Sequence, residues 1–132
     1  MPIERFNPPD VYQPNRNIYT QMIRATGSVQ VHVAGMVPWD VDQQLIGPDD
    51  MAAQVGGILD NIERSLATVG GSRKDIVRIN VYTVDVDRYV RQGTPVLMRF
   101  FGEAKPVSTT VEVSRLVHPD WLVEIEATAS ID

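Results

Sequence analysis

Acidic side chains are the first residues of this sequence that could perform chemistry, since it contains no cysteine to act as a nucleophile or thiolate ligand. Glu124 and Glu126 lie two residues apart in an alternating run, so a strand would place both carboxyl groups on one face. Neighbouring carboxylates can raise the pKa of one of the pair, which suits that group to proton transfer. The alternative is a pair of structural carboxylates that form hydrogen bonds within a sheet.

Hydroxyl and imidazole groups are the remaining candidates. Ser108, Thr109 and Thr110 form a run of hydroxyls, but no neighbouring base indicates a nucleophile. His32 and His118 are far apart and lack a partner at metal-ligand spacing, so each is expected to be a structural or exposed histidine. We therefore expect neither a metal nor another cofactor.

The charge of the chain argues against general nucleic-acid binding. The formal net charge is −5, and Arg73 and Lys74 are the only adjacent basic pair. A nucleic-acid binder needs a basic surface to replace condensed counterions. The chain also contains neither an apolar run long enough to span a membrane nor a secretory signal at its start. We expect a cytoplasmic protein that binds neither nucleic acid nor membrane.

Periodicity in the first half predicts two strands and a helix. Four prolines indicate an irregular lead-in over residues 2–17, and residues 18–25 and 29–33 then favour a β-hairpin. Apolar residues from Met51 to Val69 recur at steps of three and four, which predicts a helix capped by Asp49 or Asp50. The helix should end at Gly70-Gly71, and the internal Gly56-Gly57 pair is expected to pack closely against the sheet.

The second half predicts a strand, a helix and two further strands. The strand covers residues 76–84, and a helix over residues 96–101 should begin at Thr94 and Pro95 and end at Gly102. An earlier helical turn is expected over residues 88–92. The last strands are predicted at 108–116 and 122–131. The order ββ-α-β-α-ββ predicts one α+β domain over residues 1–132, a two-layer sandwich with both helices on one face of a mixed sheet.

The second face of the predicted sheet is polar. Alternation assigns to it Glu124, Glu126, Thr128 and Ser130 of the last strand, and the other strands add Gln30, His32, Arg78, Asn80, Ser108, Thr110, Glu112 and Ser114. One interpretation is a face covered by solvent, which is common in antiparallel sheets. The other is a polar interface between subunits that holds ligand sites.

Several motifs together resemble the RidA/YjgF family, whose members are also described as endoribonuclease L-PSP-like. The clearest is the tail from Lys105 through Leu116, continued by Leu-Val-Glu-Ile-Glu-Ala over residues 122–127. Others are Ala34-Gly35 with Pro38, the segment 54–61, the segment 75–85 and the Phe100-Phe101 pair. The resemblance covers nearly the whole chain. It implies a chorismate-mutase-like fold and a homotrimer whose sheets line a central barrel, with small-molecule clefts between subunits.

The same resemblance implies a set of site residues. Glu124 matches the family glutamate that handles water, and is thus the catalytic candidate, while Glu126 is expected to be structural. Gly35 matches the family glycine, with Met36 in place of the glutamine that follows it, and the tyrosine before the first strand matches Tyr19. The family arginine, which holds a substrate carboxylate, is replaced here by Ser108. Ligand-binding candidates are Tyr19, Gly35, Met36, Ser108, Thr109 and Thr110.

Two functions remain open at this point. The resemblance implies a hydrolase that acts on a small enamine, imine or related metabolite, but serine cannot replace a guanidinium group that binds a carboxylate. The standard deamination of 2-imino acids is therefore not expected, unless Arg24, Arg78 or Arg99 supplies the cation. The alternative is a trimer that binds a small molecule without turnover. Trp39 and Trp121 are expected either to line a cleft or to fill the core.

Overall fold

The computed structural model describes residues 2–14 and 17–132. Its elements, in chain order, are β1 (Ile3–Phe6), β2 (Met22–Ala25), β3 (Val29–Met36), α1 (Met51–Ala67), β4 (Ile76–Thr83), α2 (Val86–Arg88), α3 (Thr94–Phe101), β5 (Val107–Glu112) and β6 (Val123–Ile131). A single π-helical turn, Tyr89–Gly93, connects α2 to α3, and a short 3₁₀ turn, Arg73–Asp75, precedes β4.

The main sheet has four strands in the order β3-β6-β4-β5. β6 is antiparallel to both β3 and β4, whereas β4 and β5 are parallel, so the sheet is mixed. The core lies between one face of this sheet and the helices α1 and α3. Its fully buried side chains include Ile58 and Ile62 of α1, Ile79 of β4 and Ile125 of β6. The expected two-layer α+β sandwich is confirmed.

Helix α1 begins where its sequence predicts and ends at Ala67, two residues before the end of the predicted apolar stripe at Val69. The Asp50 side chain accepts a hydrogen bond from the Ala53 amide, which caps the first turn. The chain leaves the helix through Gly70, whose φ of +80° favours glycine. The expectation that the glycine pair packs against the sheet was wrong: a side chain at residue 57 would meet Ile46 of the loop between β3 and α1, and one at residue 56 would meet Val96 of α3. Gly57 allows the loop to lie against the helix.

The N-terminal region departs from the prediction. Residues 3–6 form a strand within the expected irregular lead-in, and β2 pairs with this β1 rather than with β3. The predicted hairpin is therefore wrong. Across the β1–β2 pair, Arg24 forms an ion pair of 2.7 Å with Glu4 and stacks over Phe6. Alternation identified the strand but not its partner, because a strand of suitable polarity can pair with any compatible edge.

The second helical region starts earlier than predicted. Asp85, not Thr94, caps it by accepting a hydrogen bond from the Arg88 amide. Helical structure then continues through the π turn into α3, so Thr94 lies inside a helical run, and its predicted role as N-cap was wrong. The earlier turn predicted over residues 88–92 and the stop at Gly102 agree with the structure. Pro95 has no amide hydrogen to donate, and it directly follows the π turn, where the regular α-helical hydrogen bonding is already interrupted.

Candidate functional site

The alternating pattern of β6 separates a core face from an open face. Val123, Ile125 and Ala127 are buried beneath the helices, whereas Glu124 and Glu126 are half-buried on the opposite side. In the antiparallel register, Glu126 lies opposite Asn80 of β4. Other polar side chains predicted for this face follow the same register: Gln30, His32, Arg78, Thr128 and Ser130. The prediction of a polar sheet face is confirmed for β3, β4 and β6.

Strand β5 contradicts the predicted face assignment. Ser108 and Thr110 pair with Ile79 and Val81 of β4, which face the core, so both hydroxyl residues lie on the helix side of the sheet. Thr109 pairs with Asn80 and lies on the open face instead. Polarity misled the assignment because β5 is an edge strand, where polar residues are tolerated on both faces. Glu112 also lies on the helix side of the sheet, since it pairs with the buried Thr83, and Ser114 lies beyond the end of β5.

Glu126 has a structural environment. The Tyr82 hydroxyl donates to its Oε1 at 2.6 Å, and the Asn80 side-chain amide donates to the same oxygen at 3.2 Å. The hydrogen bond to Glu126 raises the pKa of Tyr82, which keeps the phenol protonated. Two donors on one carboxylate hold it in a defined orientation, which agrees with the structural role expected for Glu126.

Glu124 has a different environment from Glu126. No residue in the described parts of the chain donates a side-chain hydrogen bond to it. Its pKa is raised, first by desolvation on burial and second by the negative charge of Glu126. The carboxyl group also lines a cleft of about 350 Å³ with Arg115, Leu116 and Val117. A carboxyl group with raised pKa in a cleft is suited to proton exchange with water.

The structure places Gly35 directly beside Glu124. The pairing of β3 with β6 shifts register between Val33 and Met36, which is a β-bulge. At the bulge, any side chain on residue 35 would overlap the Glu124 carboxylate. Glycine thus allows the backbone to approach the carboxyl group closely while Glu124 keeps its present position. Two of the candidate site residues, Gly35 and Glu124, therefore lie together within one chain.

Met36 lies away from this pair. The extra residue in the bulge turns its side chain to the core face, where it packs against buried residues and borders an outer groove between α1 and the loop before it. The two tryptophans also lie on this side: Trp39 and Trp121 meet edge to face at 4.9 Å, and His118 stacks on Trp121 at 5.5 Å. Trp121 is buried and fills space under the loop.

Tyr19, Ser108 and Thr110 come together in a different cavity, of about 310 Å³. It lies between β5 and the helical segment that follows β4. The other residues that line it are Ile18, Val86, Tyr89, Val90, Thr94 and Leu97. Sequence reasoning did not identify Tyr89, Thr94 or Leu97 as site residues, because their helical spacing is equally typical of the core.

The three arginines considered as replacement cations do not line this cavity. Arg24 is paired with Glu4, Arg78 lies on the open sheet face, and Arg99 is an exposed residue of α3. Two other arginines are closer to candidate residues. Arg115 borders the cleft of Glu124, and Arg91 lines a cavity that adjoins the one around Ser108. Neither was identified from the sequence.

One chain thus carries two half-sites. The first half-site is Glu124 with Gly35, on the open face of β6 and β3. The second half-site is the cavity with Tyr19, Ser108 and Thr110, on the helix side of β5. Strand β4 separates β5 from β6, and the two half-sites face opposite sides of the sheet, so their side chains do not meet within one chain.

The described residues contain neither a cluster of metal-binding side chains nor a helix that could span a membrane. Residues 2–14 and 17–132 contain no group of three or more histidine, aspartate or glutamate side chains placed to hold a metal ion. Within the same ranges, no helix is both long enough and apolar enough to cross a membrane.

Comparison with known proteins shows the fold class and the family of this chain. The fold aligns with that of the Rid protein YyfB of Yersinia pestis, with a TM-score of 0.89 and 26% identity over 99% of this chain and 100% of that one. The protein is therefore a Rid-type α+β sandwich. The model described as Endoribonuclease L-PSP matches residues 13–131, and the chain belongs to this family, which is the RidA/YjgF family.

Individual relatives agree with this assignment. A RutC family protein of Pyrococcus abyssi is 35% identical over 111 residues, which cover 84% of each chain. The 3-aminoacrylate deaminase RutC of Acinetobacter baylyi is 33% identical over 101 residues, which cover 76% of this chain and 79% of that protein. A YjgF/YER057c/UK114 family member of Mycobacterium tuberculosis has a TM-score of 0.68 and 35% identity, covering 89% of this chain and 90% of that one.

Proposed function

We propose that this protein is a Rid-type hydrolase that acts on a small imine, enamine or related metabolite in clefts between the subunits of a homotrimer. The observation that carries the proposal is Glu124, a carboxyl group with raised pKa that lies against the backbone of Gly35. The relative named as a 3-aminoacrylate deaminase supports enamine chemistry as the starting point.

The separation of the two half-sites within one chain supports assembly of several chains into an oligomer. The Glu124 half-site faces the open side of the sheet, where a neighbouring subunit can approach it. The Ser108 half-site lies at the edge strand β5, which has no further strand beside it in the main sheet. When the edge of one subunit meets the open face of the next, the two halves form one enclosed cleft. In a closed ring of three subunits, each subunit makes the same contacts with its neighbours, so every half-site is completed.

The proposed reaction needs only water and a proton carrier. Glu124 accepts a proton from water as the oxygen attacks the carbon of the C=N bond, and the backbone at Gly35 helps to orient the substrate. That proton then passes to nitrogen, which gives a neutral carbinolamine. Glu124 next takes the proton of the hydroxyl group and delivers it to the amino nitrogen, so that the C–N bond breaks as the C=O bond forms, and a carbonyl compound and ammonia leave. An enamine enters the same path after a proton is added to its carbon and another is lost from its nitrogen, which gives the imine. No metal or organic cofactor is required.

The proposal also concerns the branch of the family to which this protein belongs. Ser108 stands where the resemblance implies an arginine that binds carboxylate, and the cavity around it is lined by no charged residue among those described. We therefore propose that the protein is not a standard 2-imino acid deaminase. The candidate ligand-binding groups are the hydroxyls of Tyr19, Ser108 and Thr110.

Turnover of a panel of imines, generated in situ from amines or amino acids by an oxidase, tests the proposal. The wild-type protein should accelerate carbonyl release above the uncatalysed rate for at least one imine, and Glu124→Gln should reduce that acceleration by about 100-fold, the usual contribution of a general base. Glu103→Gln, a matched change at an exposed glutamate, should leave the rate unchanged. Equal loss in both variants, or full activity in Glu124→Gln, would contradict the assigned role.

A second candidate function is a trimer that binds a small molecule without turnover. The specific observation in its favour is that no described residue lining the cavity around Ser108 is a cation, which removes one part of the deamination site that the resemblance implies. This alternative predicts saturable binding of small carbonyl compounds with no acceleration of any imine in the panel. It also predicts that Glu124→Gln leaves affinity unchanged.

A further inference from the structure

Among the residues that the structure describes, those that line the cavity around Ser108 are all uncharged. These nine residues comprise four aliphatic side chains, two tyrosines, two threonines and one serine. At about 310 Å³, the cavity is at the small end of the range for ligand sites in proteins. It is therefore large enough for a small metabolite, and none of its described lining residues offers that metabolite a charge.

The inner wall is also poorly hydrated. Tyr89 is 3% exposed and Leu97 is 4% exposed, and burial raises the pKa of the Tyr89 phenol. A carboxylate transferred into this environment loses its hydration and gains no opposite charge from the lining residues that the structure describes. The cavity consequently discriminates against an anionic group more strongly than an exposed surface would.

Three hydroxyls supply the polar contacts that a neutral ligand needs. Those of Tyr19, Ser108 and Thr110 make no side-chain hydrogen bond to the parts of the chain that the structure describes. Ser108 and Thr110 lie two residues apart on the same face of β5, so their Cα atoms are separated by about 6–7 Å. Each hydroxyl can donate to a carbonyl oxygen or accept from an N–H group. Together they can hold a small carbonyl compound or imine at two points.

In the described part of one chain, a positive charge lies at the margin of this cavity. A neighbouring cavity shares Ile18, Val90 and Thr94 with the first and is completed by Arg91, Pro95 and Met98. Arg91 is exposed at the outer side of this second cavity. It can meet the distant end of a longer ligand, but it does not line the part of the cleft that contains Ser108.

We infer that the Ser108 cavity selects imines and carbonyl compounds whose reacting carbon carries apolar, uncharged substituents, in preference to those with an adjacent carboxylate. The inference rests on the proposed function, because that function places the reacting carbon in this cavity. It differs from the activity named for the Acinetobacter relative, whose substrate 3-aminoacrylate carries a carboxylate.

Binding of a matched pair of stable carbonyl compounds tests the inference without turnover. The probes are 2-oxobutanoate and its methyl ester, which differ chiefly in charge, titrated into the assembled protein and followed by amide shifts in NMR spectra. The ester should bind at least about tenfold more tightly than the acid, because the acid loses hydration without compensation. Equal or tighter binding of the acid, or no saturation by either probe, would overturn the inference.

Three variants test which residue determines the preference for the ester over the acid. Ser108→Arg should reverse it in favour of the acid, whereas Ser28→Arg, which adds the same charge at an exposed turn, should leave it unchanged. Arg91→Ala should not alter ester binding. If instead the acid binds more tightly and Arg91→Ala abolishes this binding, Arg91 is the carboxylate site and the inference is wrong.

The outcomes also separate the inference from the proposed hydrolase activity. A preference for the ester without acceleration of any imine supports the assigned ligand class and contradicts the hydrolase proposal. Imine turnover together with a preference for the acid supports the hydrolase and contradicts the ligand class.

Discussion

At the scale of single residues, Ser108 is the position that most separates this protein from the deaminase activity that the resemblance implies. Ser108→Arg should increase turnover of a 2-aminoacrylate-type imine by about ten- to a hundredfold, because a charge-assisted hydrogen bond to the substrate carboxylate contributes about 1.5–3 kcal/mol. Reduction of the released keto acid by lactate dehydrogenase measures the rate. Strong turnover by the wild-type protein would instead show that another cation, with Arg91 and Arg115 the first to test, already binds the carboxylate.

Glu124 leads to a prediction about stability and pH. Because its pKa is raised in the folded protein, ionisation opposes folding, and this cost appears as pH rises through the unfolded pKa toward the folded one. Glu124→Gln should therefore raise the melting temperature relative to wild type at pH 8 but not at pH 3, where the Glu124 carboxyl group is protonated in both the folded and the unfolded wild-type protein. Thermal unfolding at the two pH values measures the difference. A lower melting temperature at pH 8 would mean that the carboxylate is stabilised by its surroundings.

At the scale of secondary-structure elements, one buried side chain connects α1 to two loops. Gln54 is fully buried; its amide donates to the carbonyl oxygens of Gly47 and Asp120, both at 3.1 Å, and its oxygen accepts from the Leu122 amide at 2.8 Å. Gln54→Leu should lower the free energy of unfolding by about 3 kcal/mol, since backbone groups lose partners in the interior.

Chemical denaturation measures this effect. Gln92→Leu, at an exposed glutamine of the π turn that accepts one surface hydrogen bond from Arg88, is the matched control and should change stability by less than about 0.5 kcal/mol. Equal losses in the two variants would show that the buried network contributes no more than a surface contact. The Gln54 network also holds the segment that leads into β6, and so positions Glu124.

At the scale of the whole molecule, the divided site predicts a homotrimer at micromolar concentration. The two half-sites lie on opposite sides of the sheet, so only a neighbouring subunit can bring them together. Light scattering coupled to gel filtration measures the mass. A folded, stable monomer would contradict both the trimer and the cleft between subunits.

The overall charge leads to a second prediction at this scale, despite the name Endoribonuclease L-PSP borne by the family model. With a net charge of −5, highly purified protein should not cleave RNA at physiological salt. Electrophoresis of a labelled RNA after incubation checks this expectation. Cleavage at constant specific activity through purification, lost in Glu124→Gln, would overturn it.

Local sequence patterns determined the type and position of several secondary-structure elements of this protein. The stripe of α1 and the alternation of β6 each describe one element, and the Asp50 cap and the turn at Gly102 depend on only a few neighbouring residues. These features were predictable because helical and strand periods are properties of a single segment. The same alternation placed Glu124 and Glu126 on one face, and the ordered motifs indicated the family.

Tertiary structure alone decided which surfaces these elements present to one another. The parallel register with β4 turns Ser108 and Thr110 toward the helices, and a one-residue bulge brings Gly35 to Glu124 while turning Met36 into the core. A shift of one residue reverses every side chain of a strand, and nothing within the strand records that shift. The separation of the candidate site into two half-sites follows from these registers, which arise only when distant segments pair.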